Sequence, residues 1–309
     1  MRNAFAAEIT ALASEDNRIV LLSGDIGNRL FDDYKKIAPD RFFNCGVAEA
    51  NMMSMAAGMA LCGMRPVVYS ITPFVTTRCI EQIKTDVSYH NLPVIIIGTG
   101  SGLSYAELGA THLSFEDIAF LRVLPNMTVI CPADSCEARL SLRAAIALNT
   151  PAYIRLGKKN EPLVHKQIPA FEIGKGIIVR SGDTVCLIGT GNMLPIALRV
   201  AEEFEKNNIS TQVVSLHTVK PLDKKMLSEI FSKFLIVATI EEHSLCGGLG
   251  SCVSEWLIQK MPVKARLVNI GMSDSYLYEA GRQEYARSHH GLTKEAIVDK
   301  IMKIYRQKA

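Results

Sequence analysis

Residues 43–49 read FNCGVAE and run straight into ANMMSMAAGMAL at 50–61, so that one carboxylate, Glu49, opens a segment otherwise almost free of charge. Apolar spacing over 48–61 reaches nearly all faces of a helix, which predicts a buried helix starting just after the Gly46-Val47 turn. On either side of it, short β-branched runs alternate with helical patterns along the whole chain. That alternation defines the α/β class, with parallel sheets joined by helical crossovers. Strands are expected at 18–22, 66–70, 93–98, 128–131 and 152–156, with helices between them.

Between 157 and 176 the sequence GKKNEPLVHKQIPAFEIGKG loses its period and gathers charges and two prolines, the composition of an interdomain connection. A second α/β unit follows. It has expected strands at 184–188, 211–216, 235–240 and 265–270, and expected helices at 193–207, 223–231, 250–259 and 293–305. The domains are therefore set at 1–160 and 176–309, with a linker at 161–175.

The chain has 309 residues, 48% of them apolar, and a formal net charge of +3, with basic residues scattered and not in runs. Nucleic acid is not an expected partner. Eight cysteines lie mostly in apolar stretches without a CxxC pair, which suits buried thiols in a reducing cytosol better than disulfides or zinc. The first twenty residues read as an amphipathic helix containing acids, unlike a secretory leader. No apolar run reaches about 18 residues without a charge or turn former, so no membrane span is expected, and the location is taken as cytoplasmic.

Glycine clusters invite a nucleotide reading that the spacing does not support. Gly98-Thr-Gly100-Ser-Gly102 lacks the third glycine of the dinucleotide fingerprint, and GxxxxGK[ST] is absent. Gly189-Thr-Gly191-Asn192 could hold an anion on helix amides or be a tight strand-to-helix turn. For Glu49 itself, favourable placement against the helix macrodipole is an adequate structural explanation on pattern alone.

The phrase ending in Glu49, with Gly58, Gly63, Pro66 and a strand ending near Ser70 behind it, resembles the glutamate motif of thiamine-diphosphate enzymes of the transketolase type. The resemblance implies a pyrimidine-binding fold followed by a transketolase C-terminal domain. It implies that Glu49 hydrogen-bonds a ring nitrogen of the coenzyme's aminopyrimidine and favours the imino form, which then deprotonates the thiazolium. An aromatic side chain after the next strand stacks on the pyrimidine in this family; Phe74 is the choice and Tyr69 the second, each equally readable as core. Ser23-Gly24-Asp25 is similar to a turn that places an aspartate near the thiazolium, although Asp25 also reads as a cap. Gly109-Ala110-Thr111-His112 resembles the Gly-Pro-Thr-His of transketolases and deoxyxylulose-phosphate synthases, where the histidine faces substrate. Asn28 and Lys158 complete the substrate-binding set that the resemblance implies.

Departures from the family pattern point to the substrate. The family's hydroxyl-reading aspartate before that histidine motif is Leu108 here, a phosphate contact falls at Gly100 or Ser101, and Lys158 stands for an arginine. A modified ketose or aldose is therefore expected in place of the standard pentose phosphates. The second half, through Lys220-Pro-Leu-Asp223, Glu241-Glu-His-Ser244 and Gly247-Gly-Leu-Gly-Ser251, is similar to the C-terminal domain shared with 2-oxoacid dehydrogenase β subunits.

The Gly-Asp-Gly phrase that carries magnesium and diphosphate in these enzymes is missing. The resemblance thus implies a split transketolase, with Mg2+ and the diphosphate held by an N-terminal partner subunit in an α2β2 assembly. The rival readings are a 2-oxoacid dehydrogenase β subunit, a deoxyxylulose-phosphate-synthase-like enzyme, and a non-catalytic subunit of the same fold.

Overall fold

Runs of branched aliphatic residues supply the strands, because β-branched side chains pack well on a pleated surface and restrict their own rotamers little there. The computed structural model describes residues 1–27, 29–260 and 263–307. In chain order the strands are β1 (Ile19–Ser23), β2 (Phe42–Asn44), β3 (Arg65–Ile71), β4 (Ile95–Thr99), β5 (Thr128–Ile130) and β6 (Ala152–Leu156). There follow β7 (Ile177–Arg180), β8 (Val185–Gly189), β9 (Thr211–Ser215), β10 (Thr218–Lys220), β11 (Ile236–Ser244) and β12 (Arg266–Met272). They form two sheets, ordered β10-β5-β6-β4-β3-β1-β2 and β12-β11-β8-β9-β7. All pairings are parallel except β10 with β5 and β7 with β9.

Three edge strands, β2, β7 and β10, are what the sequence pattern missed. β2 and β7 are short and half-exposed, so neither shows a continuous apolar run. β10 belongs to the second half of the chain yet pairs with β5 of the first sheet, and Cys131 N–H donates to the His217 carbonyl at 2.6 Å beside it. The first half therefore does not close its own sheet: a returning strand covers an edge that would otherwise be left open. One apolar cluster runs through both halves, joining Val129 and Cys131 to Cys186, Ile188 and Val214.

Residues 157–176 contain no helix or strand. They are nonetheless pinned at both ends. Asp134 accepts from the Val164 N–H at 2.8 Å, Glu137 bonds the His165 ring at 2.7 Å, and Phe171 stacks on His217 with centroids 4.0 Å apart.

The helix Glu49–Leu61 forms as expected but is not buried all round. Met52, Met53, Ala56, Ala57 and Ala60 pack into the core, whereas Asn51, Ser54, Gly58 and Leu61 face solvent together with Val47. All eight cysteines are unbridged. Burial pushes the Cys79, Cys131 and Cys186 thiols up to about 12. Among the described residues, no helix is long and apolar enough to cross a membrane.

Two buried groups on β11 titrate in opposite senses. Glu241 caps the helix Leu249–Ile258, accepting the Leu249 and Gly250 N–H groups at 2.7 Å each; burial outweighs those bonds and raises its pKa to about 7. Burial lowers His243 to about 4, against an opposing pull from Asp117. Stability from Glu241 is thus full below its unfolded value of 4.5 and is lost as pH rises towards 7. Stability from His243 is full above 6.5 and is lost as pH falls towards 4. Across the shared window the two slopes oppose each other. Glu241→Gln should unmask the histidine, so that stability climbs with pH between about 4 and 6.5 by up to about 1.4 kcal/mol per pH unit. Urea midpoints at successive pH values will show the slope; a flat profile in the variant refutes the assignment.

Candidate active site

The parallel order of the first sheet carries the carboxyl ends of β1, β2, β3, β4 and β6 to one edge, where open α/β sheets place their ligands. The sequence-derived candidates gather there. Asp25 follows β1, Glu49 follows β2, Phe74 follows β3, His112 lies in the loop after β4 and Lys158 lies just past β6.

Glu49 is reached through a local turn. The Asn44 side-chain oxygen accepts the Gly46 N–H at 3.0 Å, and Gly46 takes the left-handed conformation (φ 67°) that lets the chain swing into the helix. Glu49 is then the first helical residue and is only 1% exposed. A carboxylate so buried needs partners. Ser70 Oγ donates to Oε1 at 3.3 Å, and Arg78 Nη1 donates to Oε2 at 2.7 Å. The end of β1 closes against the same carboxylate: a Cβ on Gly24 would lie 3.1 Å from Glu49 Cγ.

Arg78 also lies over the ring of Phe74, its guanidinium carbon 4.1 Å from the centroid. Phe74 meets the edge of His112 at 5.1 Å, His112 meets Tyr105 at 6.1 Å, and Lys158 Nζ sits 4.4 Å above Tyr105. The site is thus one contiguous array from Glu49 to Lys158. His112, in a short 3-10 turn (Ala110–His112), shares a 2.9 Å hydrogen bond between Nδ1 and Thr111 Oγ1. Burial, helped by the Arg78 charge, holds its pKa below the usual histidine value. It is therefore a neutral imidazole near neutral pH, able both to donate and to accept a hydrogen bond.

Tyr69 does not belong to this array. It is 1% exposed, stacked at 5.5 Å on Phe5 and edge-on at 5.0 Å to Phe31, with no face left for a coenzyme ring. The reason is strand alternation: Ser70 points to Glu49, so its neighbour must point to the opposite face of the sheet. Asp25 is exposed, takes φ 55° and accepts from Asn44 Nδ2 at 2.9 Å. Asn28 lies outside the described residues.

At the far end of the array, Lys158 forms an ion pair with Glu107, whose carboxyl is held below its usual value by that lysine. Leu108, in the position of the absent hydroxyl-reading aspartate, is 50% exposed. Position 100 admits no larger side chain, because Gly100 has φ 71° and its Cβ would fall 1.8 Å from the Tyr105 ring. Tyr105 therefore fills the space that a side chain at position 100 would take. Arg78, Ser70 and Tyr105 were not found from the sequence. Arg78 follows Phe74 by four residues, the spacing that brings side chains together on a helical turn, and this was the available signal.

These features place a buried acid and an aromatic ring, joined through Arg78, at the carboxyl edge of a parallel sheet. The chain belongs to the transketolase family: the transketolase pyrimidine-binding domain matches residues 1–162, and the transketolase C-terminal domain matches residues 174–297. It is 34% identical to the 6-deoxy-6-sulfo-D-fructose transketolase subunit of Clostridium sp. strain MSTE9, covering 96% of this chain and 92% of that one. It is 31% identical to an apulose-4-phosphate transketolase subunit of Phocaeicola vulgatus, covering 96% of this chain and 94% of that one. A solved structure described as a split gene transketolase, inactive β4 tetramer, superposes with a TM-score of 0.90 at 34% identity, covering 98% of this chain and 97% of that one. The chain therefore carries the pyrimidine-binding and C-terminal domains of the transketolase family.

Proposed function

We propose that this chain, with an N-terminal partner subunit, binds thiamine diphosphate and transfers a two-carbon ketol unit from a ketose to an aldose. The observation that carries this reading is Glu49, a buried carboxylate beside the ring of Phe74 at the edge of the parallel sheet. A flat, polar heteroaromatic ring fits that pair: the carboxylate accepts its hydrogen bond and Phe74 offers it a face. When bound, thiamine diphosphate would supply the nucleophilic carbon. Glu49 would orient the ring and hold a proton at its nitrogen, while His112 would hydrogen-bond substrate oxygens and relay protons to them. Among the described residues, no group of three or more His, Cys, Asp or Glu could hold a metal ion. Magnesium and the diphosphate are assigned to the partner because the Gly-Asp-Gly phrase is missing from this sequence, and an α2β2 arrangement is assigned to the complex. The homologue described as an inactive β4 tetramer supports this need for a partner.

The altered substrate wall supports a non-standard sugar or sugar phosphate, with Lys158 as its point-charge contact. Relatives named for sulfofructose and apulose phosphate support the same direction. Unbridged, high-pKa thiols suit a reducing cytoplasm.

Reconstitution with a chain bearing the Gly-Asp-Gly phrase tests the proposal, with ketol transfer and 2-oxoacid decarboxylation measured side by side. Decarboxylation of pyruvate without ketol transfer would move the chain to the 2-oxoacid dehydrogenase reading. In the active complex, His112→Ala should lower kcat/KM by roughly 10²-fold, the scale of one lost acid–base group. An unchanged kcat/KM removes His112 from the site.

A further inference from the structure

We propose that Arg78 holds the place of the coenzyme's pyrimidine in the unassembled chain and must swing away before that ring can be seated. The inference rests on the thiamine reading above. The Arg78 guanidinium is planar, lies 4.1 Å over the Phe74 ring and donates to Glu49 Oε2 at 2.7 Å. A flat group with N–H donors, layered on Phe74 and bonded to Glu49, makes the two contacts that the aminopyrimidine is assigned. The ring and the guanidinium cannot occupy the same face of Phe74 together.

The arrangement also has a physical purpose in the free chain. Without the ring, Glu49 would be a buried carboxylate supported only by the long 3.3 Å bond from Ser70. Leaving such a charge unpaired is costly, and Arg78 removes that cost. The latch can open, because the Arg78 side chain is 42% exposed and springs from the short turn Thr77–Cys79, so water is available to it when it leaves. Its departure would also lift a positive field from His112, where that field now helps to keep the imidazole neutral.

A placeholder competes with the ligand it imitates. If the latched form holds about nine-tenths of the population, apparent coenzyme affinity is reduced about tenfold, and removing the latch restores it. The test is calorimetric titration of thiamine diphosphate, with magnesium, into the reconstituted complex carrying either the natural chain or Arg78→Ala. Tighter binding by about tenfold in the variant is the expected result. Equal or weaker binding overturns the proposal, since Arg78 would then be an indifferent ion pair or a true coenzyme contact.

A second measurement needs no variant. The Arg78 side-chain NMR signal of the natural chain should show a hydrogen-bonded guanidinium in the free chain that is released when coenzyme and partner are added. A signal that does not change on assembly also overturns it. A natural complex that binds no thiamine diphosphate is a separate result, which removes the coenzyme reading itself.

Discussion

Glu49→Ala will lower kcat of the reconstituted complex by roughly 10²–10⁴-fold, the range associated with a positioned acid or base, while the chain still folds. The catalytic loss follows from the site: the described structure places no other carboxylate in contact with both Ser70 and Arg78 beside Phe74. The mild structural effect follows from the partners left behind. Arg78 is partly exposed and can turn to water, and Ser70 loses only a 3.3 Å bond. Glu49→Gln separates charge from shape, since it keeps the volume and one acceptor but cannot hold a carboxylate's charge at the ring. Steady-state ketol transfer and circular dichroism of both variants check the expectation. Turnover within a few-fold of the natural complex would end the coenzyme role assigned to this residue.

Asp117→Ala should be the most damaging single change to the fold. Asp117 is fully buried; it accepts from Arg155 Nε at 2.7 Å and Nη2 at 3.2 Å, and from the Tyr153 hydroxyl at 2.6 Å. Burial pushes its pKa up, but Arg155 outweighs that push and holds the carboxyl below its usual value. Arg155 reaches on to the Ser114 and Glu242 carbonyls at 3.1 and 3.0 Å, and so ties β6 to β11. Deleting the acid leaves a guanidinium buried without its counter-charge, a change worth about 3–5 kcal/mol. In a chain of 309 residues that corresponds to a fall in Tm of about 5–8 °C. Calorimetry will read it, and a shift below about 2 °C would show that water enters and solvates Arg155 in the variant. Because Arg155, which Asp117 holds, bonds the Glu242 carbonyl across the two halves and β10 completes the first sheet, the loss should appear in one transition and not in one half alone.

Most strands that were read correctly are continuous apolar runs in the middle of a sheet, such as β4 and β8, buried at every position; β12, an edge strand, was read from its own apolar run. Edge strands β2, β7 and β10 have mixed burial and no such run, and they escaped notice. In the site, Glu49 stood out because a charge in an apolar stretch is visible in one dimension. Arg78 did not, because its four-residue spacing from Phe74 marks only a neighbour on a turn, and nothing along the chain marks the buried acid 29 residues away to which it is bound.

By itself the sequence determined the α/β class, the two α/β units, the helix that Glu49 opens, and the strand ends that deliver the candidate residues to one edge of a sheet. These are consequences of period and of turn residues, which act within a few positions along the chain. Tertiary structure decided that Tyr69 turns into the core while Ser70 turns to the acid, that β10 crosses back to the first sheet, and that Arg78 lies between Glu49 and Phe74. Each of these depends on register between distant segments, and register is set by packing the whole core at once.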